Sequence, residues 1–192
     1  RKLHQEMAEY NKRGIAIDLK QPLSDMRWVV VDVETGGLDA ERDPLLSIGA
    51  VAIEQGRIVF DPSLEVGLRQ AQSTGASNIL IHGISGSEQR AGEAPHAALL
   101  DWLEFAQGAP RVAFHAAFDQ AVLQREVRAQ LGLPSKAPWF DAAVVAPLLF
   151  PAAATKAKSF AAWGKSFADA LFRTATIDLL SAPTLKLTAK AG

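Results

Sequence analysis

VVVDVETGGL, the ten residues from Val29 to Leu38, decides how this chain is read. Trp28 to Val33 is a nearly continuous β-branched run, as expected of a strand buried on both faces. Side chains alternate faces along a strand, so Asp32 and Glu34 project to the same side. Two carboxylates set together at the end of an apolar strand repel each other and are costly unless a cation neutralises them. Gly36-Gly37 then opens a turn whose backbone N–H groups can approach a substrate closely. A bare Asp-x-Glu is common and weak evidence. On an apolar strand followed by Thr-Gly-Gly-Leu it is far more specific, against the competing reading of a solvated acidic pair at a strand end.

Outward from that strand, Leu45 to Glu54 reads as a second strand. Gln55-Gly56 is a tight turn into a third, Arg57 to Phe60, resuming at Leu64 to Leu68, which makes an antiparallel hairpin. Residues 70–93 are rich in Gly, Ser and polar residues and read as a long loop region. Ala94 to Gln107 has helical spacing, with Leu99, Leu100, Leu103 and Ala106 on one face. Pro110 to His115 is a short strand, Asp119 to Leu131 a helix stopped by Gly132, and Trp139-Phe140 a brief edge strand leading to a helix ending at Phe150. Strands first and strand–helix alternation afterwards predict an α/β domain, a mixed sheet with helices on its faces. Residues 1–24 read as a polar helical arm and linker, and 25–192 as the domain.

The second chemical signal is RVAFHAAFDQAVL, Arg111 to Leu123, where a strand delivers the chain to a helix whose first turn holds Asp119. Alone, such a carboxylate is ordinarily an N-cap or a dipole-stabilised surface residue. Phe118 offers an apolar plate for a base, although an aromatic at a helix start is usually core. His115, four residues before Asp119, reads as a hydrogen-bonded scaffold residue, and His4 and His96 as ordinary surface or helix residues.

Composition narrows the chemistry. With no cysteine in 192 residues, disulfides and thiolate zinc sites are excluded, which favours a hard, oxygen-ligated metal if the chain holds one. The same absence is compatible with a cytoplasmic protein. Hydrophobic residues at 48% against 21% charged suffice for a core. The longest uncharged apolar stretch, Ala142 to Ala154, is broken by Pro147 and Pro151 and is too short to cross a bilayer. The chain begins at Arg1 rather than Met, as a fragment or a processed chain would. Residues 28–150 hold 8 Lys/Arg against 15 Asp/Glu, whereas residues 151–192 hold 6 against 2. An acidic centre with a basic C-terminal segment suits a carboxylate metal site served by phosphate-binding charge, as well as a merely dipolar surface.

Taken together, VVVDVETGGLDAERDPLLSIGAVAI, NILIHGI (Asn78 to Ile84) and FHAAFDQAVL resemble the DEDD family of 3′→5′ exonucleases, in particular the proofreading type typified by the epsilon subunit of bacterial DNA polymerase III. WFDAAVVAPLLFP and SFAAWGKSF are similar to its connecting helices, and the likeness spans roughly residues 26 to 180. Two departures stand out: Gly36 where Thr is commoner, and His115 where Asn is usual. The resemblance implies a ribonuclease H-like, mixed five-stranded sheet flanked by helices. It implies two Mg²⁺ or Mn²⁺ ions held by Asp32, Glu34, Asp119 and a fourth acid. Thr35 and Gly36, with Leu38, would hold or wedge the terminal nucleotide; His82 and Ile84 would line its pocket, and Phe118 would pack against a sugar or base. Asp141 would be structural. The implied partners are a nucleic acid 3′ end, single-stranded DNA first, and a polymerase or further domain.

The family's third motif supplies a general-base His and, five residues later, the fourth acid. No His-x4-Asp occurs here. Either Asp178 is the ligand, with Arg173 in place of the His, or Asp169 is, within Ala168-Asp169-Ala170-Leu171. On a helix the two acids are about half a turn out of phase and cannot both face the metals. Pro183 would disrupt a helix five residues beyond Asp178 but leaves ample length after Asp169, which favours Asp169. The base would then lie in a loop missing from the numbering between Phe167 and Ala168, or be lost. A lost base supports a second reading, an impaired module that binds nucleic acid or a polymerase, and a small-molecule phosphatase or nucleotide hydrolase is a third.

Overall fold

The computed structural model describes residues 22–75, 79, 83–134, 137–149, 175–178 and 184–189. Strand β1 (Trp28–Thr35) lies at the middle of the sheet, antiparallel to β2 (Leu45–Glu54), which is antiparallel to β3 (Arg57–Gly67). On its other side β1 runs parallel to β4 (Arg111–Ala113), and β4 parallel to β5 (Trp139–Asp141). These five strands are the expected mixed sheet. The β2–β3 turn is made by Gln55 (φ 52°) and Gly56 (φ 69°), the paired positive φ values of a two-residue hairpin.

Two backbone features depart from expectation. A hairpin of β6 (Ala175–Asp178) and β7 (Thr184–Ala189) joins the free edge of β3, giving the order β5-β4-β1-β2-β3-β7-β6. Asp178, expected on a helix, is therefore on the outermost strand, paired with Lys186. The signal was the alternation Thr-Leu-Lys-Leu-Thr-Ala, which suits a strand better than a helix. Within the region read as loop, α1 (Gly86–Ala91) forms behind a capping box: the Ser85 hydroxyl accepts from Glu88 N–H while Glu88 accepts from Ser85 N–H.

The helices α2 (Pro95–Ala106) and α3 (Ala117–Leu131) cover one face of the sheet; α4 (Ala142–Leu149) follows β5. Pro95 starts α2 at a first-turn position where its missing N–H costs nothing. Gly132, at φ 69°, ends α3 in the left-handed conformation. The core lies between these helices and Val29, Val31, Val33, Leu45 and Ile48, with Leu99, Trp102, Val122, Leu123 and Val127 from the helices. Arg111, wholly buried, holds its guanidinium over the rings of Trp102 (5.5 Å) and Trp139 (5.9 Å). The opposite face of β1, carrying Val30, Asp32 and Glu34, opens into a cleft of about 730 Å³.

Candidate active site

The register of the sheet builds this cleft. Asp32 is paired with Gly49 and Glu34 with Ser47, so the two carboxylates look across minimal side chains on the neighbouring strand. Gly49 in turn is paired with Glu65 on β3. Ile84 and Glu88 close one side. Among the described residues, four acids and no Lys or Arg line the space, so a phosphate chain entering it would be repelled unless cations lay between.

Asp119 reaches the site by a specific device. Strand β4 pairs with β1 only at Val29 and Val30, the Val29 N–H donating to Pro110 O at 3.0 Å. Two rungs further, beyond the end of β4, the Val33 N–H donates to Asp119 Oδ1 at 3.1 Å. The first turn of α3 thus continues the ladder with a carboxylate where a strand carbonyl would have been. Residue 119 is therefore on the same part of β1 as residues 32 and 34, held by the backbone between them.

The electrostatics record the crowding. Burial pushes the Asp119 carboxyl up to about 6; the Asp32 charge adds to this, and the N–H bonds from Asp119's own backbone and from Val33 oppose it. Burial, and then the Asp32 charge, raise Glu34. Asp32, whose side chain opens to solvent, is raised by the protein packed around it. All three shifts favour the protonated form in the absence of a counter-ion. The donor set, carboxylate oxygens in mutual repulsion, fits a hard dication. Among the described residues, no three acidic or histidine side chains converge on one point closely enough to hold an ion. Asp169 lies outside the described residues, as do His82 and the Phe167–Ala168 junction. Asp178 stands four strands from β1, roughly 19 Å at the usual strand spacing.

The turn after Glu34 meets its expectation differently. The Gly36 N–H donates to Pro44 O (2.9 Å), so it is engaged within the chain instead of facing a ligand. A β-carbon on Gly36 would lie 2.8 Å from the Pro44 ring and 3.1 Å from the Thr74 methyl. One on Gly37 would strike the Asp43 carboxylate at 2.2 Å. The glycines are there because the loop folds tightly on itself, which also accounts for Gly36 where a Thr is commoner. Thr35 Oγ1 donates to Gly37 O at 2.6 Å. Leu38 stands at the tip, 93% exposed. Arg125 on α3 ties the loop down by donating to Ala40 O and Asp43 O. Sequence reading passed over this arginine, for nothing in its helical position marks a partner some eighty residues away.

Phe118 packs half-buried against the core, its bland reading. His115 has φ 59°, a left-handed conformation for which Asn, and to a lesser degree His, is suited. Its N–H donates to Asp141 Oδ1 (3.0 Å), which also accepts from Ala143 N–H (2.8 Å), so Asp141 fixes the β4–α3 turn and the start of α4.

A family profile described as exonuclease, RNase T, matches residues 29–163. The PolC-type DNA polymerase III of Thermotoga petrophila is 30% identical over 128 residues, 64% of this chain and 9% of that protein. A DNA polymerase III epsilon-like protein of Rhodobacter capsulatus is 31% identical over 135 residues, 69% of this chain and 19% of that protein. The chain thus spans at most 19% of the length of these two relatives. E. coli exonuclease I in complex with a dA16 oligonucleotide superposes with a TM-score of 0.57 at 16% identity, covering 65% of this chain and 29% of that one, a likeness of fold.

Proposed function

The chain belongs to the RNase T family of exonucleases, and on that premise we propose that it is a metal-dependent 3′→5′ exonuclease releasing nucleoside monophosphates from the 3′ end of DNA. The observation that carries this reading is the seat of Asp119 on the Val33 N–H, between Asp32 and Glu34 on the same strand. Two Mg²⁺ or Mn²⁺ ions, held by Asp32, Glu34, Asp119 and Asp169, would supply a hydroxide at neutral pH and neutralise charge on the scissile phosphate and leaving oxygen. The chain's own part is to hold its carboxylates in register, and the cations would keep them ionised against the burial that raises all three. The exposed Leu38 wedges the last base, Thr35 and Gly36 frame it, and Ile84, with His82, lines its pocket. Phe118, half-buried at the start of α3, packs against a sugar or base of the bound strand. Residues 25–192 are the exonuclease unit, serving a polymerase or a further domain in the cytoplasm, with single-stranded DNA as the first substrate.

A 5′-labelled single-stranded oligonucleotide tests this. With Mg²⁺ it should shorten one nucleotide at a time from its 3′ end, and chelator or Asp32→Asn should stop the ladder. Full activity in Asp32→Asn would sink the proposal.

One observation favours a second reading, an impaired module that binds nucleic acid or a polymerase. The histidines among the described residues are His96, in the first turn of α2, and His115, at the β4–α3 turn, and neither lines the cleft. A missing general base removes roughly 10²–10⁴-fold in rate without removing the metals. Tight binding of single-stranded DNA with no Mg²⁺-stimulated cleavage would decide for that module.

A further inference from the structure

We propose that Gln89 is a positioning residue for the nucleotide-facing wall of the cleft, acting through Thr74 and Ile84. The inference rests on the exonuclease reading above and adds a residue to it. Gln89 is 2% exposed, one of three buried polar or charged residues among those described. Its side-chain amide makes three hydrogen bonds, and none goes to the core. Oε1 accepts from Thr74 N–H at 2.9 Å, and Nε2 donates to Thr74 Oγ1 and to Ile84 O, each at 3.0 Å. Both amide donors and the acceptor are thus committed to the two ends of the 74–84 segment. A buried amide so satisfied fixes geometry, because each displaced partner would have to be desolvated without a replacement.

What these bonds hold is the frame of the pocket. Ile84 lines the cleft alongside Asp32 and Glu34. Thr74 presses its methyl against the face of Gly36, 3.1 Å from where a β-carbon would sit. Gln89 therefore sets the position of Ile84 directly and supports the Gly36 backbone through Thr74. Its own anchorage is firm. Gln89 O accepts from Gln70 N–H (2.8 Å), and the Gln70 amide donates to Leu45 O and Leu68 O on β2 and at the end of β3. Just beyond α1, Glu93 N–H donates to Gly67 O and Arg69 N–H to Glu93 O. The chain of contacts runs from the sheet through Gln70 and Gln89 to both sides of the pocket, and Gln89, itself in the lining of the cleft, has its whole side-chain amide committed to Thr74 and Ile84.

A positioning role predicts a split in the kinetics. Gln89→Met keeps the volume and removes all three bonds. Its KM for a short 3′-ended single-stranded oligonucleotide should rise about tenfold, with kcat within roughly threefold of the parent. Gln89→Glu keeps the acceptor for Thr74 N–H but sets an oxygen against Ile84 O, and should raise KM by about threefold. Melting curves confirm that each variant is folded, and if Gln89→Met is not, Gln89→Glu decides. A parental KM in the folded variants, or a fall in kcat with KM unmoved, overturns the proposal. A parent protein that cuts no DNA is a different failure, that of the exonuclease reading itself.

Discussion

The two faces of β1 differ in almost every physical respect. Val29, Val31 and Val33 are 0, 3 and 8% exposed and lie under α2 and α3. Val30, Asp32 and Glu34, interleaved with them, face the open cleft. On the core face large apolar neighbours crowd in. On the cleft face the partners of the acids are Gly49 and Ser47, which leave room beside the charge. A period of two thus lets one strand hold the fold together with its odd residues and mount repelling charges on its even ones. The stability gained on one side tolerates the strain on the other.

If the contrast is sound, mutations on the two faces should separate activity from stability. The largest effect is expected at Asp32→Asn: nuclease activity down at least ~10³-fold, with a Tm equal to the parent's or higher, because a source of repulsion is gone. A Tm loss as large as a core mutant's would break the contrast. Next is Leu99→Ala beneath the core face, fully buried in the parent. Its cost should be about 3 kcal/mol, lowering Tm by roughly 6–12 °C, with kcat per folded molecule nearly unchanged.

Asp119, buried at the start of α3 and docked on the β1 backbone, sharpens the comparison. Its carboxyl is raised from 3.8 to about 6 in the folded chain. The folded state therefore holds this proton more tightly than the unfolded one. The associated stability is present in full below pH 3.8 and is lost as pH climbs through about 6. In chelator, the parent should lose on the order of 2 kcal/mol more than Asp119→Asn between pH 4 and pH 7, roughly 4–8 °C in Tm. Parallel melting profiles for the two proteins would argue against a carboxyl raised by its burial and by the Asp32 charge. The smallest effect is expected at Arg125→Met, which unties the Leu38 loop. Oligonucleotide KM should rise a few-fold, about 1 kcal/mol, while Tm falls by a few degrees. An unchanged KM would mean that the loop holds itself.

Much of this was legible in the letters. Strand β2 runs from Leu45 to Glu54 as its pattern predicts, and the Gln55-Gly56 turn, Gly132 stop and brief β5 follow from residue types with narrow conformational preferences. Asp32 and Glu34 share a face because alternation is geometric. Less was legible where partners are distant in sequence. The Asp119–Val33 bond spans 86 residues and depends on β4 being short, which no local pattern states. Helix α1 went unread although Ser85 and Glu88 carry a capping-box signature, since the surrounding Gly and Ser outweighed it. Strands β6 and β7 are short, and their alternation is plain only in Thr-Leu-Lys-Leu-Thr-Ala. The glycines at 36 and 37 stood out in the sequence, and the space they save is for Pro44, Thr74 and Asp43.

The substitution of a carboxylate for one rung of the ladder has a consequence for heterogeneity. Asp119 is docked on the main chain of the strand that bears the other two acids, so the three cannot drift independently. A slip of β1 by one residue would turn Asp32 and Glu34 into the core and withdraw the Val33 N–H in the same movement. Misregistered molecules should then be silent, never sluggish, and a preparation's specific activity would count its correctly threaded members.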